Sequence, residues 1–191
     1  MATADLYRLA GLSSWIALIA LVLSAIALAL FFGGAGEFWG PVNDALIVVT
    51  AIALVPAVVA VARLAGDRAA PWVAILTVAA SAGLVLIAVG QTLLIVGRLS
   101  LDGSYVTGGI GIVPVLAWIV LVASLSLGSG VLPSTTGWLA VATLVAIVAV
   151  SIVAVATRGP VLWVASVALL VTLSAWLAGL ASSLGASAAT A

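Results

Sequence analysis

The stretch AAPWVAILTVAASAGLVLIAVGQTLLIVG, residues 69–97, lies between Arg68 and Arg98 and contains no charged residue. A transmembrane helix needs about 20 predominantly apolar residues to cross the hydrocarbon of a bilayer. Strands of a membrane barrel alternate between apolar and polar residues over about ten residues, so a continuously apolar run favours a helix. A helix also satisfies its backbone amides within its own segment, as lipid requires. The stretch therefore predicts a membrane-spanning α-helix.

The rest of the chain repeats this pattern, and glycine- and proline-containing turn signals divide it into further spans. The other long uncharged runs are residues 9–36, 45–62, 103–157 and 159–191. The predicted spans are residues 12–32, 42–63, 71–97, 109–127, 137–157 and 161–181, followed by a flexible tail, 182–191. We therefore expect an all-α fold, a polytopic transmembrane helical bundle of about six spans that forms one domain over residues 1–191.

The composition supports a lipid environment and excludes several kinds of chemistry. The chain is 66% hydrophobic and 5% charged, whereas soluble domains are about 45–50% apolar and about 25% charged. Its net charge is zero and it lacks lysine, so no basic patch is available for nucleic acid. It also lacks cysteine and histidine, which excludes thiolate catalysis and Cys/His zinc sites. We expect no metal, no cofactor, no nucleic-acid partner and no enzymatic activity.

Polar residues near the predicted start of the second span form a candidate site. Because consecutive spans run antiparallel, the end of the third span and the loop after the fifth lie on the same side of the membrane. A polar mouth on that side would consist of Glu37, Asn43, Asp44, Gln91, Arg98 and Arg158. In the alternative interpretation, Asn43 and Asp44 only occupy a helix N-terminus, where the free amides favour an anion. A third interpretation is an Asp44–Arg98 pair that stabilises the hairpin.

The third span carries small residues on one face. Gly83, Gly90 and Gly97 recur at seven-residue spacing, and Ala79 lies four residues before Gly83. Small residues allow helix backbones to approach closely in lipid. The pattern predicts packing against another helix of the same fold, with a homodimer contact as the alternative.

Two local matches suggest an internal duplication of three plus three spans. The segment 15–18, WIAL, resembles 118–121, WIVL, and both 59–62 and 153–156 read VAVA, each followed by a proline and a tryptophan. An odd number of spans per half would invert the second copy. Chance agreement in a chain rich in alanine, valine and leucine is the other interpretation.

The positions of the arginines predict how the chain is oriented in the membrane. Arg8, Arg63 and Arg68 share one side, against Arg98 and Arg158, which favours a cytoplasmic N-terminus in a prokaryotic plasma membrane.

The lack of ionisable residues deep in the spans indicates a class of function. Coupled carriers keep ionisable groups near the midplane. The first hypothesis is therefore a structural, accessory or assembly subunit that lies in the lipid bilayer with a membrane-protein partner or as a homo-oligomer. A small transporter or channel for a neutral or weakly polar solute is the second hypothesis, and a membrane-embedded enzyme is the third.

Overall fold

The computed structural model describes residues 3–66, 71–156 and 160–191, and in these residues it contains helices and turns but no strand. The helices are α1 Thr3–Phe32, α2 Trp39–Ala65, α3 Pro71–Ile95, α4 Leu101–Gly128, α5 Ser134–Ala156 and α6 Pro160–Thr190. All six are long and apolar enough to cross a membrane. The predicted fold class, an all-α polytopic transmembrane bundle, is confirmed, and the protein is an integral membrane protein.

The helices form a ring in chain order. Each packs against the next, and α6 returns to pack against α1. Since six helices cross in alternating directions, both chain ends lie at one end of the bundle. We call this end, which holds Thr3 and Thr190, the near side. The end that holds Phe32 and Trp39 is the far side.

Two tryptophans fill the interior of the ring. Trp118 of α4 and Trp176 of α6 are each 1% exposed, and their ring centroids lie 5.7 Å apart in an edge-to-face arrangement. Because α4 and α6 are not neighbours in the ring, this contact crosses its interior. Aromatic pairs of this geometry bury much apolar area, so the pair closes the middle of the bundle.

Packing is uneven along the α5–α6 hairpin. The buried residues of α5 lie between Thr136 and Thr143, and those of α6 lie between Trp176 and Leu184. Both groups belong to the near-side half. No described residue between 144 and 171 is buried. We call residues 144–156 and 160–171 the open half of the hairpin.

The fourth helix begins earlier than the sequence predicted, at Leu101 instead of residue 109. Ser100 precedes it in an extended conformation, and its hydroxyl oxygen accepts a hydrogen bond from the backbone N–H of Gly103 at 3.2 Å. Asp102 lies in the first turn, where a carboxylate interacts well with the free amides. This cap allows the helix to include the glycine-rich stretch that the prediction placed before the span.

The two terminal helices also extend beyond the predicted spans. Helix α1 begins at Thr3 instead of residue 12, and α6 continues to Thr190 where a flexible tail was predicted. Ser183 and Leu184 are buried, and the hydroxyls of Ser183 and Thr136 are hydrogen-bonded at 3.1 Å. Packing against the bundle therefore holds α6 as a helix at least to Leu184, and the helix continues to Thr190.

The internal duplication stays a prediction. A closed ring would give a three-plus-three architecture two equivalent junctions, one between α3 and α4 and one between α6 and α1. The matching tryptophans nevertheless lie in different surroundings, since Trp15 is 41% exposed and Trp118 is buried.

Candidate functional site

A small hydrogen-bonded network joins α1 to α2 in the far-side half of the bundle. The hydroxyl of Ser24 donates to Oδ1 of Asn43 at 2.6 Å, and Nδ2 of Asn43 donates to Oδ1 of Asp44 at 3.2 Å. Ser24 and Asn43 are buried, whereas Asp44 is half-buried. A buried polar group without a hydrogen bond is costly in an apolar environment, so the network satisfies Asn43 and links the two helices.

The network lies one turn after the start of α2. Pro41 lies in the first turn, where its missing N–H costs nothing. Asn43 and Asp44 are the fifth and sixth residues of α2, so they lie beyond its first turn and its free amides, where an anion is most favoured. The hydrogen bond of the buried Asn43 to Ser24 is instead a contact between helices. Whether Asp44 also binds a ligand stays a prediction.

The other predicted members of the polar mouth lie apart from this network. Glu37 and Arg98 are exposed, and in the described part of the chain no ion pair joins Arg98 to Glu37 or Asp44. Oε1 of Gln91 is buried and has no hydrogen-bond partner among the described residues. Arg158 lies outside the described residues. The structure thus brings together Asn43 and Asp44 and adds Ser24 to them.

Sequence reasoning missed Ser24, although the hairpin contained a signal for it. The turn between the first two spans contains Gly33, Gly34 and Gly36. Ser24 lies nine residues before Gly33 and Asn43 lies seven residues after Gly36, so the two are nearly equidistant from the turn. In an antiparallel hairpin, residues equidistant from the turn lie side by side.

Two of the predicted helix-packing residues lie at the α3–α4 interface. A Cβ atom at Gly83 would collide with the carbonyl oxygen of Gly111 and with Pro114, and one at Gly111 would lie 2.7 Å from the carbonyl oxygen of Gly83. Two turns further along α3, Gly90 lies against Thr107. The backbones of α3 and α4 approach this closely because both glycines lack a side chain.

The other two residues of the predicted stripe behave differently. Ala79 is partly buried within α3, whereas Gly97 lies beyond the end of that helix. The φ angle of Gly97 is +69°, and the backbone N–H of Arg98 donates to the carbonyl of Leu93 at 2.8 Å. This is a glycine-dependent helix terminus. Gly97 therefore ends α3 instead of packing against a neighbouring helix.

The geometry shows no centre for metal chemistry in the part of the chain that is described. No group of three or more Asp or Glu side chains converges there. The expected absence of a metal and of a cofactor stays a prediction.

The fold and the network define the chain as a multi-pass membrane protein with a far-side polar contact. Comparisons with protein-family models, with curated proteins and with solved structures give no match to the chain. Function therefore has to be argued from its own residues.

Proposed function

We propose that this six-helix membrane protein is a structural or accessory subunit that assembles with another membrane protein or with copies of itself. The open half of the α5–α6 hairpin is the observation that supports this most directly. In that half no described residue is buried, whereas buried residues occur along most of the length of α1, α2, α3 and α4.

The exposed side chains of the open half suit a helix partner. Association of helices in lipid depends on van der Waals packing, because lipid tails are as apolar as the side chains. Many of the outward residues are β-branched and stiff, among them Val148, Ile152 and Val155, the last of which is 91% exposed. A partner helix that packs on this face would gain contacts that the chain does not supply itself.

The interior supports a structural role over coupled transport. Among the described residues, no Asp, Glu or Arg side chain is buried, and the buried polar side chains include Asn43 and eight serines and threonines. Proton- and ion-coupled carriers normally hold ionisable groups inside the bundle. The interior is also closed by Trp118 and Trp176. Catalysis is not part of the proposal, since the chain lacks histidine, cysteine and lysine.

Site-specific photo-crosslinking in the native membrane tests the proposal. A photoreactive amino acid replaces Ile152, which is 62% exposed on the open half, or Ile75, which is 67% exposed on α3. The two positions are matched, because each lies four residues from a helix end. We expect one defined protein adduct from position 152 and none from position 75. An adduct of twice the monomer mass identifies a homo-oligomer. Equal labelling at both positions, or only lipid adducts, contradicts the proposal.

A small transporter or channel for a neutral or weakly polar solute is the second candidate function. The Ser24–Asn43–Asp44 network favours it, because it places three polar groups within the membrane-spanning helices. Solute flux into proteoliposomes tests it. Flux that is lost in Asp44→Asn but kept in Asp102→Asn, an exposed carboxylate at the start of α4, supports transport. Absence of flux for all neutral solutes tried counts against it.

A further inference from the structure

We propose that the cleft between the far-side halves of α1 and α6 binds one acyl chain of a membrane phospholipid. The cleft has a volume of about 490 Å³ and is lined by side chains within residues 25–32 of α1 and 162–170 of α6. The α6 side of this cleft belongs to the open half of the hairpin, but the site goes beyond the proposed assembly role, because it is formed together with α1 and takes a lipid instead of a protein.

The size of the side chains explains why α1 and α6 meet on the near side. A Cβ atom at Gly11 would lie 3.1 Å from the carbonyl oxygen of Ala181 and 3.1 Å from the backbone nitrogen of Gly185. Ala10 and Ala17 of α1 are fully buried nearby. Small residues of this kind allow two backbones to approach closely.

The same two helices separate on the far side, where their facing side chains are larger. Ile26 and Phe32 of α1 line the cleft opposite Trp163 and Leu170 of α6. The same lining includes the small residues Ala25, Ala29 and Ser166, so the space between the two helices is left unfilled. The interface is therefore closed in one half of the membrane and open in the other.

The polarity of the cleft matches an acyl chain. Its lining carries no charged side chain, and Ser166 is its one polar residue. A polar ligand would find almost no hydrogen-bond partner there, and buried polar groups without partners are costly. A hydrocarbon chain is equally uncharged and needs no such partner. The volume falls in the range of small-molecule sites, roughly 300–1,000 Å³.

The depth of the cleft separates an acyl chain from a partner helix. Residues 25–32 rise by about 11 Å at about 1.5 Å per residue. This length fits within one leaflet, which is half of a hydrocarbon core about 30 Å thick. A transmembrane helix has to cross the whole core, but the contact of Gly11 with Ala181 and Gly185 closes this route on the near side. The occupant that fits is a chain from the far-side leaflet.

Photo-labelling with a phosphatidylcholine that carries a diazirine in its acyl chain tests the site. The full-length protein is reconstituted in vesicles of this lipid, irradiated, digested and mapped by mass spectrometry. We expect adducts to concentrate on residues 25–32 and 162–170. Ala29→Phe, which fills the cleft, should lower these adducts about tenfold, equivalent to loss of a few methylene contacts. The control Ala82→Phe, at an exposed position of α3, should leave them unchanged.

Three outcomes would overturn the proposal. Adducts spread evenly over all exposed helix faces would show ordinary boundary lipid only. A protein–protein adduct at the cleft residues would show that a partner occupies it. An unlabelled cleft would show that the two helices close in the bilayer. Because the map of the unaltered protein already separates these outcomes, the test holds even if Ala29→Phe fails to fold.

Discussion

The α3–α4 pair and the α5–α6 pair are both apolar helical hairpins of the same ring, yet only one is packed along its length. In α3–α4 the glycine contacts extend from Gly83 to Gly90, and α4 has buried residues from Ser104 to Ser126. In α5–α6 the glycines are Gly137, Gly179 and Gly185, all in the near-side half. Close packing in these two hairpins therefore follows the positions of glycine more closely than it follows hydrophobicity.

The largest effect should come from filling the α3–α4 contact. Gly83→Val places a side chain against the carbonyl of Gly111 and the ring of Pro114. Overpacking of this kind costs about 3 kcal/mol of unfolding free energy, measured by titration with sodium dodecyl sulfate in mixed micelles. The control is Gly108→Val, because a Cβ there meets nothing within 4 Å. Equal destabilisation by both changes would contradict the close contact.

A cavity in the near-side half of α6 should cause the next largest loss of unfolding free energy. Leu177 is almost fully buried beside Trp176. Leu177→Ala removes packing that lipid cannot replace inside the ring, so we expect a loss of about 2 kcal/mol in the same titration. A loss below about 0.5 kcal/mol, the range of ordinary surface changes, would mean that the near-side core is less closed than described.

The polar contact between α1 and α2 should matter less than these packing contacts. Asn43→Ala removes the acceptor of the Ser24 hydroxyl, and we expect it to lower the unfolding free energy by about 1 kcal/mol. Combining it with Ser24→Ala forms a double-mutant cycle. We expect a coupling energy of about 0.6 kcal/mol, as is typical between membrane helices. Strict additivity of the two changes would show that the hydrogen bond contributes nothing.

The smallest effect should follow truncation in the open half of the hairpin. Val164 is 70% exposed on α6, so Val164→Ala should change the unfolding free energy of the isolated protein by less than about 0.5 kcal/mol. Leu177→Ala on the same helix is the internal comparison. A large loss at Val164 in detergent would show that the open half is packed after all.

The six spans were predictable because charge and apolar length are local properties of the sequence. Uncharged runs and glycine turns located every helix. The extension at Leu101 depends on the Ser100 cap, and the extensions at Thr3 and Thr190 depend on contacts with the rest of the bundle. The face that each helix turns inward was harder to predict. In lipid both faces are apolar, so the amphipathic pattern that orients a helix in water is missing.

The tryptophans and the polar residues illustrate this limit. The depth of Trp118 and Trp176 in their predicted spans favours the burial that the structure shows, but it does not predict that the two rings contact each other. The pairing of Asn43 with Ser24 could have been found from the hairpin register, since it needs only the position of the turn. The separation of Arg98 from Asp44 could not, because it depends on where Gly97 ends α3.

The junction of α6 with α1 joins helices that are far apart in the sequence, and this has a consequence for biosynthesis. Gly11 leaves the ribosome long before Gly185 does. Helix α1 must therefore wait in the bilayer, without this neighbour, until α6 has been synthesised. Contacts of such long sequence separation form late. A chaperone or insertase that shields α1 would act during this interval, and truncation before residue 181 would prolong it indefinitely.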